Sequence, residues 1–515
     1  MTQQPQDIAA SISVGFRTLL TVVVMVGSFM AILDTTVVDV IVPKMMGPLA
    51  TDLYGVQWVI TAYMTAAAVA LLLTHSLGTV LGLKRLFLIG LTVFTLASAF
   101  CGMAATLPQM IVSRVVQGAG EAFIMASAQT ILFLIYPPEK RGLAMGIYAM
   151  GVSFAPSLGP TIGGWITEHL DWRWVFYINL PIGVLNLVAA AFYLPKMPGG
   201  SRKLHFNFRS YLLLGGFTVS LLVLLSKGQQ LGWGQSTLIG VLGYGAALLL
   251  VLYLLSELYS DRPLIDPRIF RDKVYTLSMG FYFLVLGLSI YQVFYLLPLY
   301  YENLKQLSTF DTGLHMLVFA IFIAIFSPLA GILSDRLGAQ KVLVVSTLTY
   351  LLTSYFLLPS LNYFTPATRA ALLTIPLGIS LGSFFAPLSA LALRHLGPYT
   401  ALGVSLMHYL RFVGGSLGTA IATNTLEKSA AVHYEGIGVM QNVIHLQNRL
   451  PELAGRIGAD AATAEVKAQL LLTGLQRLYA TSYAFQDTFR HGFIFALLGS
   501  SFLAAIFWVM RRERS

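Results

Sequence analysis

Runs of about twenty apolar residues recur along the whole chain, parted mostly by short polar connectors. A helix rises about 1.5 Å per residue, so each run matches a hydrocarbon core about 30 Å thick. The pattern predicts fourteen spans, beginning near Thr18, Val56, Arg85, Pro108, Gly142, Trp174, Ser210, Ser236, Val274, Asp311, Val342, Arg369, Ala401 and Phe489. An all-α polytopic membrane protein follows, because a backbone inside lipid must satisfy its own hydrogen bonds and runs of this length do so as helices. The first run carries no small-residue cleavage site and is read as a retained helix.

The connector between the thirteenth and fourteenth spans is the exception in length. It covers 426–488 and holds VMQNVIHLQNRL and AEVKAQLLLTGLQRLY, whose apolar spacing predicts two short amphipathic helices. They serve either as a spacer packed on the same protein or as a docking surface for a partner.

Composition sharpens the class. With 56% apolar and only 10% charged residues among 515, and a mean hydropathy of +0.74, the chain lies far from soluble proteins. The net charge of +10 is spread through the connectors and forms no nucleic-acid patch. With the N-terminus inside, nineteen Lys and Arg fall on the cytoplasmic side against five in the short outer loops. That bias predicts cytoplasmic N- and C-termini in a plasma or inner membrane. The single cysteine, Cys101, offers neither disulfide nor thiolate metal site, and no cofactor is implied. Metalloprotease, nucleophile-elbow and phosphate-loop signatures are absent, which argues against an enzyme.

A repeat divides the chain. GILSDRLGAQK (Gly331 to Lys341) and HSLGTVLGLKR (His75 to Arg85) share Leu-Gly and a basic end in register. The reading is a cytoplasmic N-terminus (1–17), a six-helix half (18–195), a linker with two inserted spans (196–273), a second six-helix half (274–510) and a basic tail (511–515).

Charges inside spans cost about 2.5–3.5 kcal/mol at the bilayer centre, so each needs a reason. In ILDTTVVDVIVP (Ile32 to Pro43), Asp34 falls near the midplane and Asp39 near the outer interface, about 140° apart around the helix. In RVVQGAGEAFIMASAQ, Arg114 and Glu121 share a face about 10 Å apart with Gln117 between them. That stripe either lines a polar cavity or forms a fixed salt bridge. His408 and Arg411, three residues apart, are neighbours on the thirteenth span; His408 either relays protons or makes a fixed hydrogen bond. Tyr291, Phe294, Tyr295, Tyr300 and Tyr301 crowd the ninth span, as substrate wall or as packing. In GVSFAPSLGPTIGGW, Gly151, Gly159, Gly163 and Gly164 with Pro156 and Pro160 permit a close helix contact and a bend.

GILSDRLGAQK resembles the signature loop of the major facilitator superfamily, and GVSFAPSLGPTIGGW resembles its antiporter motif. With LDTTVVDVIVP, WRWVFYINLPIG (Trp172 to Gly183) and fourteen spans, the chain resembles the drug:proton antiporters of the EmrB and QacA type. The resemblance implies the major facilitator fold, two six-helix halves plus two inserted helices, and proton-coupled export of small amphipathic compounds by alternating access. It implies proton coupling at Asp34 and Arg114, to which Glu121 is added from its shared face. The gating loop would use Gly331, Asp335, Arg336 and Lys341, while Thr79 and His75 replace the acidic and leading glycine positions in the first half. Asp39 and His408 stand where the motif has asparagine. In a host with two membranes, a periplasmic adaptor and outer-membrane channel are the implied partners. The alternative is dedicated export of one endogenous product, such as a siderophore, fatty acid or antibiotic.

Overall fold

The computed structural model describes residues 12–195, 197, 206–261, 263–441 and 461–512. Thirteen helices among the described residues are long and apolar enough to cross a membrane. The first six spans are Val14–Met45, Trp58–Leu81, Leu83–Met103, Leu107–Ile135, Arg141–His169 and Trp174–Tyr193. Phe208–Leu231 and Thr237–Leu258 are the inserted pair. Lys273–Leu304, Thr309–Leu337, Ala339–Ser360, Ala367–Ala392 and Ala461–Arg512 follow, with Thr400–Gln441 in the thirteenth place. That last helix is ample in length but more polar, because His408 and Arg411 interrupt its apolar run.

Starts agree with the apolar pattern to within a few residues, except at the fourteenth span. There AEVKAQLLLTGLQRLY, expected as a short amphipathic helix of its own, is part of a continuation of the last span, and the thirteenth span continues to Gln441. Thr400–Gln441 has 42 residues and Ala461–Arg512 has 52, about 63 and 78 Å at helical rise. Both outrun the hydrocarbon core. AEVKAQLLLTGLQRLY lies inside the last helix, and most of VMQNVIHLQNRL lies outside the described residues. The two extensions are clipped together: His433 Nε2 lies 2.7 Å from Asp487 Oδ2, and Gln476 Nε2 donates to the Tyr434 carbonyl at 2.6 Å.

The Leu-Gly of the repeat has a backbone cause. Gly82 and Gly338 end the second and tenth spans at φ 84° and 95°, a region that side-chain-bearing residues rarely adopt. Two spans depart from a plain α-helix. The ninth winds as a π-helix over Tyr282–Ile290 and again over Tyr300–Leu304, and the twelfth breaks at Thr374 and near Ser383.

The inserted pair is unequal. Its first helix bonds to both halves, through Ser226 to Thr61 at 2.7 Å and Thr218 to Tyr409 at 2.8 Å. Its second presents Val241, Tyr244, Leu248 and Val251 outward, the apolar surface expected against lipid.

The halves meet where the fifth span lies against the tenth. A Cβ on Gly142 would sit 2.5 Å from both Asp335 Oδ1 and the Gly331 carbonyl, and one on Gly313 would sit 2.5 Å from Thr161 Oγ1. Gly146 meets the Ser327 carbonyl in between, and Gly164 faces Phe310. Gly142 to Gly164 covers about 33 Å of helix, so this seam is shut across the hydrocarbon thickness. The helix stays continuous through Pro156 and Pro160. Within GVSFAPSLGPTIGGW, Gly151 faces Met25 and Gly159 faces Thr36, so these two glycines admit the first span and not the tenth.

Candidate functional site

Asp34 sits on the first span with its side chain fully buried. Arg114 Nη1 donates to Asp34 Oδ2 at 2.6 Å, while Gln117 Nε2 and Asn179 Nδ2 donate to Oδ1 at 3.0 and 2.6 Å. Three helices, the first, fourth and sixth, thus converge on one carboxylate. Arg114 also donates to Gln117 Oε1 at 2.8 Å and, through Nε, to the Val59 carbonyl at 3.2 Å. Its guanidinium carbon lies 3.8 Å from the centre of the Tyr63 ring. Ser98 accepts from Asn179 at 3.0 Å and donates to the Phe176 carbonyl at 2.9 Å, which fixes the amide that faces Asp34. A cation and an anion removed from water are tolerable only when paired and hydrogen-bonded in this way.

The shared face of Arg114 and Glu121 is present, but Arg114 pairs with Asp34 and not with Glu121. Glu121 is 2% exposed, and its Oε2 has no hydrogen-bond partner. Arg411 of the thirteenth span acts on it electrostatically, as do Asp34 and Arg114, and it forms no ion pair among the described residues. Tyr291, Tyr282, Tyr148 and Glu121 act on Arg411 electrostatically, the last two from the first half, and its guanidinium carbon lies 5.2 Å from the centre of the Phe412 ring. His408 Nε2 lies 3.2 Å from the Tyr148 hydroxyl, and its Nδ1 is unpartnered. The ninth-span π-helix begins at Tyr282 and ends just before Tyr291, a distortion often found where function needs an offset register. Two buried charge centres result, one inside the first half and one across the halves.

The other expected residues fall elsewhere. Asp335 lies at the end of the fold where the fifth span begins, and its oxygens accept from the N–H groups of Gly142 and Leu143 at 2.8 and 2.9 Å. It therefore caps the fifth span from the opposite half. Arg336 and Lys341 are exposed, and no ion pair involves either among the described residues. Asp39 continues the first helix, and its side chain lies outside the described residues. Tyr300 and Tyr301 pack at the far end of the ninth span, so of the aromatic cluster only Tyr291 acts electrostatically on Arg411 among the described residues.

Tyr63, Ser98, Asn179, Tyr148 and Tyr282 were not legible as site residues. Asn179 stands inside WRWVFYINLPIG, where a polar amide in an apolar run was the available signal. For Ser98 and the tyrosines no spacing marks which face looks inward.

The model for the major facilitator superfamily matches residues 24–419. The chain belongs to that superfamily. It is 30% identical over 429 residues to the multidrug export protein EmrB of Haemophilus influenzae, covering 82% of each chain. It is also 30% identical over 410 residues to the fatty acid resistance protein FarB of Neisseria gonorrhoeae, covering 79% of this chain and 80% of that one. The fold matches the crystal structure of the human organic anion transporter MFSD10 with a TM-score of 0.57 at 13% identity, over 93% of this chain and 99% of the other. This member of the superfamily is a multi-pass membrane transporter and not an enzyme.

Proposed function

We propose that this transporter exports small amphipathic compounds from the cytoplasm in exchange for protons, by alternating access between its two halves. The observation that carries the reading is the fully buried Asp34 held by Arg114, Gln117 and Asn179 from two other helices. A proton on Asp34 removes the charge that Arg114 neutralises and loosens the junction of three helices. A site whose proton affinity differs between two conformations ties proton binding to their equilibrium. Glu121 lies about two turns further along the same helix face and couples that junction to Arg411 across the halves.

EmrB and FarB, both about equally similar to this chain, support the export reading at the level of substrate class. FarB equally supports the second reading, a dedicated exporter of one acidic lipid-like product. The cytoplasmic termini and inner-membrane location follow from the charge bias. The helical extensions after the thirteenth and before the fourteenth span carry exposed Val432, Val466, Leu470 and Leu475, which supply a surface for a periplasmic adaptor in a host with two membranes.

The test is proton movement in liposomes holding the purified protein and a pH-sensitive dye. Adding a transported compound under a proton gradient should move protons, and Asp34→Asn should not. Flux that is driven equally with the gradient collapsed, or that survives in Asp34→Asn, would sink the coupling.

A further inference from the structure

Two arginines inside the spans, Arg114 and Arg411, are buried among the described residues, and they are treated differently. Arg114 is neutralised by Asp34 and has acceptors for Nε and Nη1. Arg411, only 7% exposed, has no ion pair and no hydrogen-bond acceptor among the described residues, and its Nε is orphaned. An arginine stays charged at any physiological pH, so an unneutralised one inside the membrane is unfavourable unless something else brings the negative charge.

The surroundings say what that something is. The Tyr282 hydroxyl and His408 Nδ1 are buried and unpartnered, and both can donate to an anion. Phe385 packs on Tyr148 at 5.9 Å and on Tyr282 at 6.2 Å between ring centres, an apolar wall next to the charge. Tyr148 and Glu121 come from one half and Arg411, His408, Tyr282 and Phe385 from the other, so a ligand here touches both. A planar guanidinium matches a carboxylate through two parallel hydrogen bonds, which a compact cation cannot exploit.

We propose that Arg411 is the head-group subsite of the transport pathway and that it selects amphipathic organic monoanions, with an aromatic or aliphatic body against Phe385. The subsite rests on the transporter reading above and names its substrate class. Glu121 competes with the ligand for Arg411: ionised, it offsets the cation; neutral or removed, it leaves the guanidinium to the ligand.

The test is equilibrium binding to the full-length protein in nanodiscs, with empty nanodiscs as background. The probes are naphthylacetate and the matched cation naphthylmethyl-trimethylammonium. Naphthylacetate should bind at least about tenfold more tightly than the cation. Arg411→Gln should cost the anion at least about tenfold in affinity while leaving the cation unchanged or better bound. Arg411→Lys should restore part of the loss, and Glu121→Gln should tighten the anion. Monodisperse elution of each variant and the partial rescue by lysine separate loss of the site from loss of the fold. Equal affinity for both probes, no naphthylacetate binding, or an Arg411→Gln protein that binds it normally would each overturn the subsite. Anion binding without coupled proton flux would instead overturn the antiport reading and leave the subsite standing; coupled flux of cations alone would do the reverse.

Discussion

Removing the carboxylate of Asp335 should open the cytoplasmic end of the fifth–tenth seam. Asp335 accepts two backbone N–H bonds, at 2.8 and 2.9 Å, at the N-terminus of a 29-residue helix, where the helix dipole favours negative charge. A hydrogen bond to a charged group contributes about 1.5–3 kcal/mol when sheltered. Solvent at this exposed side chain and the recovery of water by the freed N–H groups reduce the pair to about 2 kcal/mol in total. That corresponds to about a thirtyfold shift in the ratio of closed to open forms. Ser327, fully buried against Gly146 two turns deeper in the seam, is the reporter site. With Cys101 replaced by serine and Ser327 by cysteine, maleimide labelling from the cytoplasmic face should accelerate about ten- to thirtyfold in Asp335→Ala. Arg336→Ala, which removes an exposed charge that forms no ion pair among the described residues, should leave the rate unchanged. Equal labelling in Asp335→Ala and the parent, or an Arg336→Ala effect of the same size, would refute the capping argument.

Three further outcomes follow from the packing. Asn179→Ala removes one of three donors to the buried Asp34, and thermal melting in detergent should show a loss of about 1–3 kcal/mol, with proton flux reduced. Asp34→Asn leaves Arg114 buried without its counter-charge and should destabilise by about 3–5 kcal/mol, so a double Asp34→Asn/Arg114→Gln protein should melt higher than the single variant. Gly146→Ala drives a methyl group into the Ser327 carbonyl and should cost about 1–3 kcal/mol in the same melts, whereas Gly164→Ala, with its nearest neighbour at 3.5 Å, should be nearly silent.

Span positions were legible because burial in lipid imposes one rule on every helix, a run of apolar residues of fixed length. The rule fails at its edges. Past Leu426 the chain carries Glu427, Lys428, His433 and Glu435, so hydropathy ends the span, yet nothing there ends a helix, and the backbone continues to Gln441. The site was half legible for a related reason. A charge in an apolar run is conspicuous, so Asp34, Arg114, Glu121 and Arg411 stood out singly. Which of them meet depends on helix rotation and tilt, which packing against neighbours decides. Seven-residue spacing put Arg114 and Glu121 on one face about 10 Å apart without saying what either meets, and the carboxylate that pairs with Arg114 comes from another helix. Tyr63 needed the fold, because a tyrosine costs too little in a membrane helix to be noticed alone, and Asn179 was marked only as a polar amide in an apolar run.

The repeat raises the question of what replaces Asp335 in the first half, where Thr79 holds the matching position. Thr79 Oγ1 donates to the Ser76 carbonyl of its own helix at 2.8 Å and makes no hydrogen bond across the halves among the described residues. The contact is made by the connector that the inserted pair brings. Leu264 and Ile265 line a small cavity together with His75 of the second span and Leu402 and Ser405 of the thirteenth. Just beyond, the Tyr399 hydroxyl donates to Asp266 Oδ2 at 3.0 Å, at the start of the thirteenth span. A carboxylate thus lies at each seam, but at the second and thirteenth spans it comes from the linker and bonds a side chain of the second half, not a helix N-terminus. A single charged hydrogen bond there should contribute about 1–2 kcal/mol, less than the pair at Asp335. Asp266→Ala and Tyr399→Phe should accordingly raise labelling of a cysteine at Ser405 from the cytoplasmic side by roughly three- to tenfold, and to the same extent, because they break the same bond. If the two variants differ widely, or if Thr79→Val matches them, the connector is not the fastener of this seam and the second and thirteenth spans hold each other by packing alone.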